Sequence, residues 1–208
     1  MVELKQNLFH ELDVPVIILA TQYHKHLGVI ETIDPASVNC DFNMAACQEI
    51  AFDVYQELDG HRCTLWNSIE DLKYIYVPDY QEYYEITVFM EEDQKSVKHI
   101  VGRSACEAEL SQRLLRSFEC NTESDILRED YAPTVFYHPQ KEDASLLHRL
   151  LHDKCPDYTI AHVDASLANI QRSFSCDGTN IYDFLTGDVA EEIGCLFRFD
   201  SVTRSISA

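Results

Sequence analysis

His148 and His152 stand four residues apart, with Cys155 following on nearly the same side of the helix that this spacing implies. Two imidazoles one helical turn apart can share a zinc ion. The glutamate of a His-Glu-x-x-His centre is missing, because Arg149 follows His148. The pair also lies roughly opposite a leucine stripe, where polar residues belong in any case. A metal-dependent hydrolase using His148 and His152 is thus one chemical alternative, and a solvated helix face is the plainer reading. Tyr23-His24-Lys25-His26 offers two more imidazoles, but its polar, turn-like character predicts a solvated loop tip. Cys106 and Glu107 near His99 suggest a thiol site only by residue type, since no nucleophile signature surrounds them. Gly-x-Ser-x-Gly, Gly-x-Gly-x-x-Gly and the phosphate loop are all missing. Glu91-Glu92-Asp93 is most simply a charged turn. Tyr74, Tyr76, Tyr80, Tyr83 and Tyr84 cluster. They could form a carbohydrate-binding receptor surface, or be ordinary strand residues whose hydroxyls reach the rim. No catalytic, cofactor-binding or metal-binding residue is expected.

Composition narrows the field further. The chain has 208 residues, room for one large domain or two small ones. A hydrophobic content of 46% supports a real core. The net charge of −20 repels phosphate, so no nucleic-acid-binding surface is expected. Eight cysteines form no Cys-x-x-Cys pair, and Cys40 and Cys195 fall on apolar phases, as buried reduced thiols do. The N-terminus has no basic region followed by an apolar core, which argues against a signal peptide. The longest apolar run, Val14 to Ala20, is too short to span a bilayer.

The elements that would position these residues follow from periodicity. Val14 to Ala20 and Leu27 to Ile33 read as a hairpin, broken by Asp34-Pro35. Val38, Cys40, Phe42 and Met44 alternate with polar neighbours, as do Ile50, Phe52 and Val54. Asp59-Gly60 is a turn signal, and Trp66 with Ile69 and Leu72 suggests a short helical turn. Lys73 to Val77, Tyr83 to Met90 and Ser96 to Val101 predict three further strands. About seven short strands with polar turns point to a barrel or sandwich. After Gly102 the pattern changes. Ala105 to Leu115 is helix-compatible, and Thr134 to Tyr137 is a strand ended by Pro139. Residues 143–155 predict a helix capped by Asp143, striped by Leu146, Leu147, Leu150 and Leu151, and stopped by Pro156. Tyr158 to Val163 and Ile170 to Cys176 are further strands. The boundary between a β-rich domain (1–102) and an α+β domain (103–208) falls near Arg103.

The final third is the most fully specified. Asp177-Gly178 makes a turn, Asn180 is a good N-cap, and Asp183 meets the free amides three residues on. Ile181, Leu185, Val189 and Ile193 recur every four residues, and Gly194 suits a left-handed helix stop. Gly187 inside the helix predicts a close contact, since glycine there costs roughly 1 kcal/mol against alanine. Cys195, Phe197 and Phe199 then alternate as a strand.

These stretches also carry a family resemblance. Phe174-Ser-Cys-Asp-Gly-Thr-Asn-Ile-Tyr-Asp-Phe-Leu185 and Ala190-Glu-Glu-Ile-Gly-Cys-Leu-Phe-Arg-Phe-Asp200 resemble a signature of phage baseplate hubs, the gp27-like tail proteins. Ile50-Ala-Phe-Asp-Val-Tyr55, Leu65-Trp66, Gly102-Arg-Ser-Ala-Cys-Glu-Ala-Glu-Leu110, Thr134-Val-Phe-Tyr137 and Ser145-Leu-Leu-His-Arg-Leu150 resemble the N-terminal part of siphophage tail-tip proteins. The resemblance implies an α+β chain with a tail-tube-like β-barrel domain first and a smaller α+β hub domain second. It implies a non-enzymatic virion protein at the tail tip, assembled in the bacterial host cytoplasm. The expected state is a homotrimer that joins the distal tail protein to a downstream fibre, needle or lysin. DNA would pass through the ring without binding it. Members of this group are usually longer, so the chain is expected to be a fragment.

Overall fold

Period-two burial along three long strands, interrupted in one of them where Tyr83 and Tyr84 are both buried, organises the first half. In a computed structural model, which describes residues 14–22, 24–43, 46–91, 96–115, 118–119, 134–142, 145–176 and 178–208, the strands β4 (Ala46–Tyr55), β8 (Glu82–Phe89) and β9 (Val97–Ser104) lie side by side. Ile50, Phe52, Val54, Ile86 and Ile100 point to one side and are fully or almost fully buried. The two long ladders are antiparallel, with Phe52 opposite Ile100 and Val88 opposite Ile100 on the other flank. Around them are β1 (Ile18–Ala20), β2 (His26–Val29), β3 (Asn39–Asn43) and β7 (Tyr74–Val77), and the seven strands form one sheet in the order β2-β1-β7-β8-β9-β4-β3. No pairing between the edge strands β2 and β3 is present among the described residues, so closure of the expected barrel is not seen there.

Local signals behave as the sequence predicts. The β1–β2 hairpin forms, and Asp34 caps a 3-10 turn at Pro35–Ser37, accepting from the Ala36 amide at 2.9 Å. Asp59 and Gly60, at φ 51° and 78°, close a hairpin of β5 (Glu57–Leu58) and β6 (His61–Arg62). Trp66–Ser68 is the expected helical turn, but only Ile69 of the Ile69/Leu72 pair is buried. Leu72 turns outward at φ 61° and is 67% exposed. Lys98 lies on the inner face of β9. It donates to the Trp66 and Ile69 carbonyls at 2.7 Å each and sits 4.7 Å from the centre of the Trp66 ring. It thereby satisfies orphan carbonyls of the 3-10 turn, and burial lowers its pKa. The Glu92-Asp93 turn lies outside the described residues.

The second half is α+β. Its elements are α1 (Ala105–Ser111), β10 (Leu114–Leu115), β11 (Phe118–Glu119), β12 (Thr134–Val135), α2 (Leu146–Lys154), β13 (Thr159–His162), β14 (Gln171–Arg172), β15 (Ser175–Cys176), β16 (Thr179–Asn180), α3 (residues 181–193), β17 (Arg198–Asp200) and β18 (Ser205–Ser207). The pairs β10/β16, β11/β15 and β12/β14 are two-stranded and antiparallel, while β13-β18-β17 is a mixed sheet. The helix predicted over 105–115 ends at Ser111, because Leu114 and Leu115 pair instead with Asn180 and Thr179. Asp143 lies outside the described residues. The residue at the N-cap of α2 is Ser145, whose hydroxyl accepts from the His138 amide at 2.7 Å. Leu146, Leu147, Leu150 and Leu151 are buried as expected, against Phe136, Phe184, Leu185 and Phe197.

In α3 Asn180 caps the first turn, accepting from the Asp183 amide at 2.8 Å, and Gly194 ends the helix at φ 75°. Between them Phe184–Val189 is π-helical, which the sequence did not announce. The Thr186 hydroxyl donates to the Tyr182 carbonyl, and the Ala190 amide reaches back to Leu185 and Gly187. The wider turn rotates the downstream residues, so Ile181, Leu185 and Val189 are buried while Ile193 is only partly so.

The chain divides into two compact units, Met1–Asn43 with Cys47–Ala105 and Met44–Ala46 with Cys106–Ala208. Each has its own apolar core. Among the described residues, no helix is long and apolar enough to cross a membrane.

The glycine expectation moves to another position. A Cβ on Gly187 would meet nothing within 4 Å outside its own helix, so the predicted close contact is not there. A Cβ on Gly102 would lie 3.0 Å from both Ile50 Cγ2 and Tyr84 Cβ. Gly102→Ala should therefore cost about 1–3 kcal/mol through overpacking. Gly187→Ala should stabilise by roughly 0.5–1 kcal/mol, because it lowers backbone freedom at no steric cost. Urea denaturation of both variants checks this pair of opposite signs.

Candidate functional site

The residues singled out for chemistry are best judged by what already occupies them. His148 lies on α2, with its ring stacked on Tyr137 at 5.1 Å between centroids. Its Nδ1 is buried with no hydrogen-bond partner. A metal-ligating histidine normally donates its second ring N–H to an acceptor, and His148 has none. His152, one turn on, is exposed and donates through Nδ1 to Asp153 at 2.8 Å. Glu142, His148, Arg149, His152 and Asp153 line an open cavity of about 470 Å³. Among the described residues no group of three or more His, Cys, Asp or Glu side chains could hold a metal ion. Cys155 is buried in the core beneath α2, and burial pushes its thiol pKa up.

Of the Tyr23-His24-Lys25-His26 tip, Tyr23 lies outside the described residues, and the two histidines are not simply solvated. His24, at φ 57°, stacks on Tyr83 at 4.0 Å and meets Tyr74 edge-on at 5.3 Å. His26 stacks on Tyr76 at 5.3 Å, and its Nε2 lies 3.0 Å from the Tyr83 hydroxyl. The hairpin thus folds its imidazoles over the tyrosines of β7 and β8. Tyr74, Tyr83 and Tyr84 are buried, and Tyr84 belongs to the opposite, inner face of the sheet. A sugar would need an exposed ring face to stack on; the faces of Tyr76 and Tyr83 already contact rings of this chain. His99 donates through Nδ1 to Asp53 at 2.7 Å, whereas Cys106 is buried in the core of the second unit and Glu107 is on α1. The proposed thiol grouping is not assembled. Cys63 is also buried, whereas Cys40 and Cys195 are only partly buried, and all five described cysteines whose state is given are free thiols.

Sequence reasoning missed an ionic network in the second unit. Arg113 makes a two-pronged contact with Asp157 at 2.6 and 2.7 Å. Arg204 bridges Asp157 at 3.4 Å and Glu109 at 2.9 Å. Tyr158 donates to Glu109 at 3.1 Å, and the Arg113 guanidinium lies 5.5 Å from the centre of its ring. The network ties α1 and the loop after it to the segment following α2 and the turn before β18. Burial, with Cys106 and Glu109 beside it, pushes the Tyr158 hydroxyl well up. The hydrogen bond from Arg113 holds Asp157 below its ordinary 3.8 against the opposing effect of burial. These groups satisfy one another, so the arrangement locks structure.

A carboxylate whose pKa is depressed on folding stabilises the native state above its unfolded pKa, and that gain is lost as pH falls through the folded value. Stability should therefore drop below about pH 4. Asp157→Asn should be less stable at pH 7 and lose less on acidification. Urea midpoints at pH 7 and pH 3 test this, and equal losses in both proteins would refute the role given to Asp157.

No protein-family model matches the sequence, and no curated protein matches it. Among solved structures, prophage tail protein gp18 from Listeria monocytogenes EGD-e matches with a TM-score of 0.59 at 13% identity, over 92% of this chain and 49% of that one. A 43 kDa tail protein of prophage MuSo2 from Shewanella oneidensis matches at a TM-score of 0.46 and 11% identity, over 93% of this chain and 53% of that one. The chain spans about half the length of both. At 0.46 the second likeness carries no argument about fold, so the fold assignment rests on the first: this mixed α+β chain has the fold of the Listeria prophage tail protein along nearly all of its own length.

Proposed function

We propose that the chain is a structural component of a phage tail, part of a tail-tip or baseplate hub. The observation that carries the reading is the likeness in fold to a prophage tail protein over 92% of the chain. Three features support a structural role. The histidines of α2 and the β1–β2 hairpin are engaged with aromatic rings or a neighbouring carboxylate. The polar network of the second unit is closed on itself. The charge of −20 suits a passage that DNA crosses without adhering.

On this reading the two compact units are the tube-like and hub domains expected on either side of Arg103. Three copies form a ring that joins the distal tail protein to a fibre, needle or lysin, and the ring resides in the virion after assembly in the host cytoplasm. Closed rings are the ordinary outcome of repeated head-to-tail contacts whose rotation closes. Light scattering across a concentration series should approach three times the chain mass of 24.0 kDa. A monomer that persists at high concentration, or a dimer, would count against the trimer.

A further inference from the structure

One face of the sheet packs on the apolar core of the first unit, and on the other Phe89 and His99 are exposed. Along β8, β9 and β4 the outward residues line up in rows, with Glu85, Arg103 and Glu49 at one end and Phe89, His99 and Asp53 at the other. The second row ends in a cavity of about 250 Å³ lined by Asp53, Phe89, Glu91, Val97 and His99. Phe89 is 53% exposed and Met90 beside it 48%. Phe89 stands on the outward face of the sheet and lines the cavity, and a large apolar side chain exposed beside such a cavity suits a contact surface.

We propose that this end of the face docks another protein through a lysine or arginine side chain seated in the cavity. Its space equals roughly eight waters at about 30 Å³ each, enough for one long side chain. The walls divide by chemistry as such a side chain does. Phe89 and Val97 face its aliphatic stem, and the Phe89 ring can take a cation against its π-face. Asp53 and Glu91 supply carboxylates at the head. His99 donates to Asp53 Oδ1, which fixes that carboxylate in place. Glu91 has no ion-pair partner among the described residues. At this cavity a second copy is a poor occupant, because the chain offers 16 lysines and arginines against 36 aspartates and glutamates; copies in a ring would meet through other surfaces. A basic segment of a different protein complements both the charge and the apolar wall. The inference goes beyond the tail reading and does not depend on it: the mass measurement above and the selection below fail separately.

The test is selection of ribosome-displayed random dodecapeptides on the full chain. The enriched pool should carry lysine or arginine next to an apolar residue. The best peptide, made synthetically, should bind about tenfold more weakly to the Asp53→Asn, Glu91→Gln double variant. It should also weaken against Phe89→Ala and at high salt, and bind normally to Glu49→Gln, at the other end of the face. Glu91→Gln alone, at an exposed position, serves if the double variant unfolds. A pool without basic enrichment, or binding indifferent to these changes, would overturn the proposal. So would sedimentation showing a dimer that Phe89→Ala abolishes, since the occupant would then be a second copy.

Discussion

The register of β9 between β4 and β8 is the constraint on which the first unit depends. A strand has a side-chain period of two, so a slip of one residue would exchange its faces. Here such a slip would bring His99 and Arg103 into the core and put Ile100 into water. Gly102 helps to hold the register. It lies opposite Ile50 on one side and Ile86 on the other, and only a residue without Cβ lets Ile50 and Tyr84 close over it. Lys98, two residues before Ile100 on the same face, adds a second anchor. Its ammonium reaches two carbonyls that no other register would offer. Apolar packing and one buried cation thus agree on a single alignment, and the outward row from Phe89 to Asp53 follows from it.

The second unit solves a different problem. Most of its strands are two residues long and contribute little ladder energy. Helices α2 and α3 supply the apolar bulk, with Leu147, Leu150, Phe184 and Leu185 completely buried. The termini of short elements still need to be held in place, and the Glu109, Arg113, Asp157 and Arg204 network does so. Exposed ion pairs are worth little singly. A two-pronged arginine contact that shares its carboxylate with a second arginine is stronger, because ordering one side chain serves several bonds.

Much of this was legible from local rules. Asn180 with Asp183, Gly194, and Asp59-Gly60 each act within four residues, and each is found as read. The leucine stripe of α2 needed only periodicity, whereas of the strand expected through Cys195, Phe197 and Phe199 only Arg198–Asp200 pairs, and Phe197 alone of the three is buried. What escaped the sequence depends on distance. Arg204 and Glu109 are separated by 95 positions, and no spacing rule joins them. The stop of α1 at Ser111 depends on pairing with Thr179 and Asn180, which overrides the helix-compatible run through Leu115. Glycine in a helix suggests a near neighbour, but Gly187 lies in a π-turn with open space around it. For the candidate sites, residue types were visible but their partners were not. His24 and His26 looked solvated until the hairpin laid them on Tyr83 and Tyr76.

Those partners bear on function. An imidazole that works as a ligand or base needs one free nitrogen and one oriented nitrogen. His148 has a buried Nδ1 with nothing to orient it, and His26 gives its Nε2 to a phenol. Tyrosines that bind sugar need open faces, and those of Tyr76 and Tyr83 contact neighbouring rings. The chemically capable residues of this chain are therefore mostly consumed in holding it together. Among the described residues one surface is less committed: the acidic sheet face with Phe89, Asp53 and Glu91 at its end. Affinity and specificity for a partner depend on groups left unsatisfied in the isolated chain, and this surface supplies such groups.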